Sequence, residues 1–376
     1  MKLKKWKTSL TQKWPLRLRG LRSRILRRLL TRGDQPPTAA FRLDGGLGDH
    51  LISARFIRDF CRHTGITQYD IYSKRPAIAK WVFQGTGQCR EVYDRSADIS
   101  PLRREYIIML EVDNLLKICH KSTEISGMPQ LSKVCDTILD KGKELVFFAQ
   151  NHPRLDGYLA HYARIHGKRR FDFLHHMAGI SYGGHEIEEL RARAQASAHA
   201  EARLKTPYIT VSNGFDEQMT GGDGRLATKV YPHFDKLITR IKGLRKDAQL
   251  VQIGVPVTST PLAAADVCLL GQTSLDELLP ILSHAALHLD NEGGLVHLAA
   301  CLGTQSCVLF GPTSFSYFSY DVNINIPPAT CGDCWWLTRN WMSRCPAGHD
   351  TPPCLAETQP DSVLNIIEAH HSSSQH

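Results

Sequence analysis

No run of eighteen or more apolar residues occurs in the 376-residue chain, so a membrane-spanning helix is not expected. Low-complexity tracts and internal repeats are missing too, which argues against a repeat architecture. Eleven cysteines are too few for a disulfide scaffold at this length. Seven of them, Cys61, Cys89, Cys119, Cys135, Cys268, Cys301 and Cys307, are scattered among apolar or helical surroundings, as small buried thiols in a reducing cytoplasm would be. Acidic residues are absent from positions 1–33, which hold 12 of the 46 Lys and Arg residues. The rest carries 34 bases against 37 acids, so the formal charge of +9 belongs to a tail. A hydrophobic content of 42% is ordinary for a globular protein, and the length accommodates two domains.

Within that tail Leu18, Leu21, Ile25 and Leu29 recur at helical spacing among Arg17, Arg19, Arg22, Arg24, Arg27 and Arg28, with Trp6 and Trp14 upstream. The pattern predicts an interfacial helix on an anionic membrane, with a solvated arm or a nucleic-acid arm as the alternatives. A secretory signal fits poorly, because neither a continuous apolar stretch nor a small-residue cleavage site follows the charges. Binding to nucleic acid is not expected of the remainder, which is net acidic and has no aromatic-basic strand motif.

Asp34-Gln35-Pro36-Pro37 separates the tail from the rest of the chain. Strands are predicted at Ala39–Leu43, Tyr69–Tyr72, Tyr106–Leu110 and Leu145–Ala149, and helices at Ile52–Phe60, Asp156–Ile165, Phe171–Met177 and through Glu186–Lys205. The rhythm restarts after Thr206-Pro207. Strands at Tyr208–Ser212, Gln249–Ile253, Leu287–Leu289 and Ser306–Phe310 alternate with helices at Pro232–Ile241, Leu275–Ser283 and Leu295–Leu302. The expected architecture is therefore α/β, with two Rossmann-like domains at 34–205 and 206–330, a basic segment at 1–33 and a Cys-rich segment with a helix at 331–376.

Both domains contain a strand, a glycine turn and a helix in immediate succession. The first is Phe41-Arg42-Leu43-Asp44-Gly45-Gly46-Leu47-Gly48-Asp49-His50; the second runs from Leu287 through Asp290-Asn291-Glu292-Gly293-Gly294 into Leu295-Val296-His297. A helix opening straight after such a turn gathers unpaired N–H groups and the positive end of its dipole at one point, which suits a diphosphate. One glycine turn is weak support, since many strand-to-helix turns need glycine for positive φ. The pair says more.

Three blocks carry a resemblance to family 9 glycosyltransferases, the heptosyltransferases that use ADP-heptose: Gly45-Gly46-Leu47-Gly48-Asp49, Lys229-Val230-Tyr231-Pro232, and Glu292 through Ala300 continuing to Phe310-Gly311-Pro312-Thr313. It extends over residues 38–368. The resemblance implies a GT-B fold: two facing Rossmann-like domains, acceptor on the first and nucleotide sugar on the second. It implies inverting transfer with Asp49 as the base for the acceptor hydroxyl, beside an acceptor-side loop of Gly46, Gly48 and His50. It assigns Lys229, Glu292, Gly293, Gly294, His297 and Thr313 to the donor, and no catalytic metal. The family block usually opens Asp-Ser/Thr-Gly; here Glu292-Gly293-Gly294 stands in its place, keeping the charge but reaching one methylene further. Without the resemblance, Asp49 reads as a helix-capping aspartate, Lys229 as a solvated lysine, His297 as a core histidine and Thr313 as a turn residue.

Cys331, Cys334, Cys345 and Cys354 give C-x2-C-x10-C-x8-C in a segment that also holds Trp335, Trp336 and Trp341. The first pair has the spacing that wraps one metal between two thiolates, so a structural iron or zinc is expected, with unpaired thiols or disulfides as alternatives. This segment also resembles the autotransporter heptosyltransferase branch, which carries iron there. The acceptor stays open between a lipopolysaccharide core or other glycan and hydroxyls of an autotransporter protein. Localisation is expected to be cytoplasmic, at the inner face of the membrane if the tail docks. A non-catalytic nucleotide-sugar binder or nucleic-acid binder is the reading from another class.

Overall fold

The computed structural model describes residues 37–96, 106–151, 156–197, 204–215 and 228–373. The basic segment 1–33 lies outside the described residues. The chain divides into two compact units: the described residues through Phe147 together with Leu174–Gly183, and Phe148–Phe173 together with Gly184 onward.

In the first unit the order is β1 (Thr38–Leu43), α1 (Leu47–Thr64), β2 (Gln68–Ser73), α2 (Pro76–Phe83), β3 (Cys89–Asp94), β4 (Ile108–Val112), β5 (Leu116–Lys121) and α3 (Pro129–Glu144). Leu51, Ile52, Phe56, Phe60 and Cys61 recur at helical spacing and are buried on one face of α1. The helix stops at Gly65, whose left-handed backbone turns its N–H back to the Cys61 carbonyl. The five strands lie in the order β3-β2-β1-β4-β5, parallel except for the antiparallel β4–β5 pair.

Connecting helices α4 (Val146–Asn151), α5 (Asp156–Ile165) and α6 (Arg170–Ala178) lead to α7 (Glu188–Ala196). The second unit continues with β6 (Tyr208–Ser212), α8 (Phe234–Leu244), β7 (Gln249–Gln252), β8 (Val267–Cys268), α9 (Leu275–Ser283), β9 (Leu287–Asn291), α10 (Gly294–Leu302), β10 (Ser306–Leu309), α11 (Phe315–Phe318), β11 (Ile324–Ile326), α12 (Pro353–Ala356) and α13 (Pro360–Ser373). Its six strands are all parallel, in the order β11-β10-β9-β6-β7-β8. β6 and β9 sit side by side where the winding reverses, the place at which open α/β sheets bind ligands. Both strands are buried along their whole length, as central parallel strands must be. Ile209, Val211, Leu250, Leu289 and Leu309 form a core with Phe234, Leu237, Ile238 and Ile241 of α8 and Val363 and Ile367 of α13.

Two expectations differ from the structure. Leu145–Ala149 is not a strand but the start of α4; β5 already occupies that edge of the sheet, and Val146 and Phe147 are exposed. The division of the chain also falls away from Thr206-Pro207, because α5 packs against α11 and α7 against α9 and α10. Strands β3, β5, β8 and β11 went unpredicted. Two to six residues long, they sit at or next to a sheet edge, where the apolar signal is weak. Among the described residues no disulfide joins any of the eleven cysteines, and burial pushes the Cys61 and Cys307 thiols up to about 12, so these two are inert.

Candidate active site

In the first unit the turn after β1 is built around Asp49. Its Oδ2 accepts the Gly46 N–H at 3.0 Å, closing the first turn of α1, while Asp44 Oδ1 accepts the Gly45 N–H at 2.9 Å. Gly45 has φ +88°, and a Cβ there would lie 2.2 Å from Asp49 Oδ2, so glycine is required both by the backbone and by the closeness of the carboxylate. Gly46 is the N-cap residue and supplies no side chain to cap α1; Gly48 is buried in its first turn.

His50 does more than flank Asp49. It is fully buried; Nδ1 lies 2.7 Å from the Gly46 carbonyl and Nε2 lies 2.8 Å from Ser73 Oγ at the end of β2. A carbonyl only accepts, so Nδ1 carries the proton. Burial lowers the His50 pKa against the opposing pulls of the Gly46 carbonyl and Asp49, keeping the ring neutral, and Nε2 accepts from the Ser73 hydroxyl. Ser73 Oγ in turn accepts the Arg75 N–H at 2.9 Å. The glycine turn is thereby fastened to the next strand.

Around this turn Asp44 pairs with Lys74 and with Arg95 at 3.4 Å, and Arg95 reaches Glu111 at 3.1 Å. Sequence reading missed Asp44, Lys74 and Arg95; the signal for them was position, since each directly follows a strand of the sheet. Glu111 is occupied by Arg95 and by Arg42 at 4.0 Å.

In the second unit the loop from β9 to α10 gathers Lys229, Glu292 and His297. Lys229 Nζ donates to Glu292 Oε2 at 3.1 Å, and His297 Nε2 lies 3.7 Å from Glu292 Oε1. Tyr320, which sequence reading did not single out, meets His297 Nδ1 through its hydroxyl at 2.6 Å. Burial alone would raise the Glu292 carboxyl, but the Lys229 ammonium and the His297 imidazole outweigh it and hold it down to about 2. Glu292 therefore keeps the negative charge of the usual aspartate. Lys229 is one-tenth exposed, so it is not the solvated surface residue its sequence context suggested.

Beneath the loop a polar line runs from Thr210 Oγ1 to His288 Nδ1 at 3.0 Å and from His288 Nε2 to Asp290 Oδ2 at 3.3 Å. Complete burial pushes Asp290 above its ordinary value despite the opposing hydrogen bond from His288. Several buried polar atoms here have no protein partner: Asp290 Oδ1, Asn291 Nδ2, Thr313 Oγ1 and Ser259 Oγ. Such atoms cost free energy unless something satisfies them, and ligand sites are where the cost is tolerated. At Gly293, the N-cap of α10, a Cβ would meet nothing closer than 3.7 Å. Its small size leaves open the approach to the uncapped N–H groups of Gly294 and its successors.

The Cys-rich segment packs behind these loops. Cys331 is exposed, Cys334 and Cys345 are half-buried and Cys354 is buried. Asp333 and Trp336 hold positive φ of 53° and 58°, a conformation non-glycine residues adopt only under constraint, on either side of Cys334. Burial, with the neighbouring Cys345 and Cys331, pushes Cys334 up to about 11; burial, with Cys331 and Cys334, pushes Cys354 up to about 12. Cys334 thus lies near Cys331 and Cys345, and Cys354 near Cys331 and Cys334, although among the described residues no three His, Cys, Asp or Glu side chains are grouped closely enough to hold an ion.

Residues 245–327 match the model of glycosyltransferase family 9 (heptosyltransferase). No curated protein matches the chain. Among solved structures, the dodecameric iron-containing glycosyltransferase TibC from enterotoxigenic E. coli H10407 is similar over 90% of this chain and 77% of its own, with 13% identity and a TM-score of 0.56. TibC in complex with ADP-D-beta-D-heptose gives a TM-score of 0.58 at 12% identity, over 90% of this chain and 76% of that one. A family 9 glycosyltransferase from Veillonella parvula DSM 2008 is similar over 89% of this chain and 98% of its own, with 13% identity and a TM-score of 0.54. At such identities the likeness establishes the fold, a GT-B-like pair of α/β units with largely parallel sheets. The family match falls on the stretch from Arg245 to Pro327, which contains Glu292, Gly293, Gly294, His297 and Thr313, the residues expected to face the donor. Residues 245–327 thus carry the pattern of glycosyltransferase family 9, the heptosyltransferases, within a chain of GT-B-like fold.

Proposed function

We propose that the protein transfers a heptose from ADP-heptose to an acceptor hydroxyl with inversion at the anomeric carbon. The observation that carries this reading is the cluster at the β6–β9 reversal: Lys229 poised on Glu292, the uncapped start of α10, and the orphaned Asn291 Nδ2 and Thr313 Oγ1. These are donors and a cation suited to a diphosphate. In the reaction Asp49 takes the acceptor proton as the acceptor oxygen bonds to the anomeric carbon. The bond from that carbon to the diphosphate breaks, and its electron pair leaves with ADP. Lys229 and the α10 N–H groups then stabilise the charge that develops, leaving no role for a catalytic metal.

The acceptor we favour is a lipopolysaccharide core or another glycan reached from the cytoplasm, with residues 1–33 docking the protein on anionic lipid. A second reading, transfer to hydroxyls of an autotransporter protein, draws on the Cys-rich segment. There Cys331, Cys334, Cys345 and Cys354 would supply a tetrathiolate set of the kind iron or zinc takes once the side chains are drawn together, and the constrained backbone around Cys334 suits a ligand turn. When bound, the metal would cross-link the segment. Elemental analysis of purified protein, with Cys331→Ser as control, reads its presence.

Calorimetric titration with ADP-, UDP- and GDP-linked sugars tests the donor. ADP-heptose should bind best and release ADP slowly, and preference for a UDP or GDP sugar would overturn the assignment. Incubation with truncated lipopolysaccharide or with an autotransporter passenger, followed by mass spectrometry for an added heptose, separates the acceptors.

A further inference from the structure

The loops that carry the donor residues are fastened to one later stretch of chain. Thr228 donates its N–H to the Met342 carbonyl and its Oγ1 hydroxyl to the Trp341 carbonyl, both at 2.8 Å. Three residues on, the Tyr231 hydroxyl donates to the Thr358 carbonyl at 2.8 Å, and His233 Nε2 donates to the Ala356 carbonyl at 2.8 Å. Lys229 lies between these anchors. On the other donor loop the Trp335 N–H donates to the Pro312 carbonyl at 3.0 Å, one residue before Thr313. Gly311 is packed so closely that a Cβ there would lie 2.7 Å from the Leu355 side chain. Thr228, Tyr231 and Trp341 are all buried.

We propose that the segment from Trp335 to Thr358 positions Lys229 and Thr313 for the donor diphosphate, with Thr228 and Tyr231 as the positioning residues. The inference rests on the donor-site reading above. Its physical basis is entropic. A lysine whose flanking backbone is fixed on both sides has only side-chain freedom left to lose when it closes on a phosphate, whereas an unanchored loop also loses backbone freedom on binding. The segment has little regular structure of its own beyond the four-residue α12, and it contains two of the four cysteines that follow Ala329, Cys345 and Cys354. The donor loops are thus held by a strap drawn from outside the sheet.

The test is calorimetric titration of the full-length protein with ADP, well below the lowest unfolding transition of the variants, with thermal melts run alongside. Thr228→Val removes the hydroxyl donor at nearly constant volume and should weaken ADP binding about fivefold. Thr228→Ser keeps the donor and should restore affinity to within about twofold of the parent. Tyr231→Phe should act in the same direction as Thr228→Val, and the double variant should exceed either. A role in stability alone would lower the melting temperature and leave the affinity of the folded protein unmoved, which overturns the proposal. Lys229→Ala separates the two levels. If it leaves ADP binding intact, the donor-site reading itself fails; if it weakens binding while Thr228→Val and Tyr231→Phe do not, the positioning inference alone fails.

Discussion

The turn from β1 into α1 and the turn from β9 into α10 share a local plan, a buried parallel strand followed by glycine at an N-cap that offers no side chain. They differ in what they do with a carboxylate. In the first unit Asp49 is folded back onto its own turn by the Gly46 N–H, and the nearby cations Lys74 and Arg95 are taken by Asp44. In the second unit Glu292 is locked between Lys229 and His297 in a site from which water is largely excluded. The first arrangement suits a carboxylate that accepts a proton. The second suits a cation kept in readiness for a phosphate. The supports differ as well: His50 and Ser73 hold the first turn from within its sheet, while a segment more than a hundred residues further along the chain holds the Lys229 loop.

The comparison breaks first at Asp49. Asp49→Asn should reduce ADP release from ADP-heptose by about a hundredfold or more while donor affinity stays within about twofold, as loss of a general base predicts. Retained turnover would remove the distinction between the two turns. Gly45→Ala is expected to follow: forcing a side chain into the left-handed region costs about 1–2 kcal/mol, and its Cβ displaces the Asp49 carboxylate. Turnover should fall with little change in ADP affinity, and parental turnover would show that the carboxylate's placement is not set by the turn. His50→Ala should leave the buried Ser73 hydroxyl without its acceptor and take one of two N–H donors from the Gly46 carbonyl, at a cost of about 1–3 kcal/mol read from chemical denaturation. An unchanged stability would mean that the turn holds itself.

The smallest effect concerns pH. The Glu292 pKa in the folded protein, about 2, lies below its ordinary value of 4.5. Its contribution to stability is therefore complete above about 4.5 and is lost as pH falls from there toward 2. Glu292→Gln should flatten the pH dependence of unfolding in that window without altering it near neutrality; an unaltered slope would mean the ion pair is not felt by the fold.

Periodicity and glycine placement made most of the second unit legible, because its strands are short, apolar and buried on both faces and its helices alternate with them. Tyr208–Ser212 and Leu275–Ser283 are found where they were expected. Leu145–Ala149 misled because an apolar run of five carries no period of its own, and whether it pairs depends on whether a sheet edge is free. The candidate site divides in the same way. Asp49, Lys229 and Glu292 were visible through the blocks resembling the family. Tyr320, Thr228 and Ser73 were not, since each acts through a hydrogen bond to a residue 23 or more positions away.

By itself the sequence determined the alternation of strands and helices, the two glycine turns and the segregation of basic charge into residues 1–33, because these depend only on local spacing and composition. Tertiary structure alone decided that His50 is a clamp, that Glu292 is charged and paired with Lys229, and that the Cys-rich segment is hydrogen-bonded to the loops carrying Lys229 and Thr313. The reason is physical: hydrogen bonds and buried charge pairs depend on distance and on exclusion of water, and neither quantity is written along a chain.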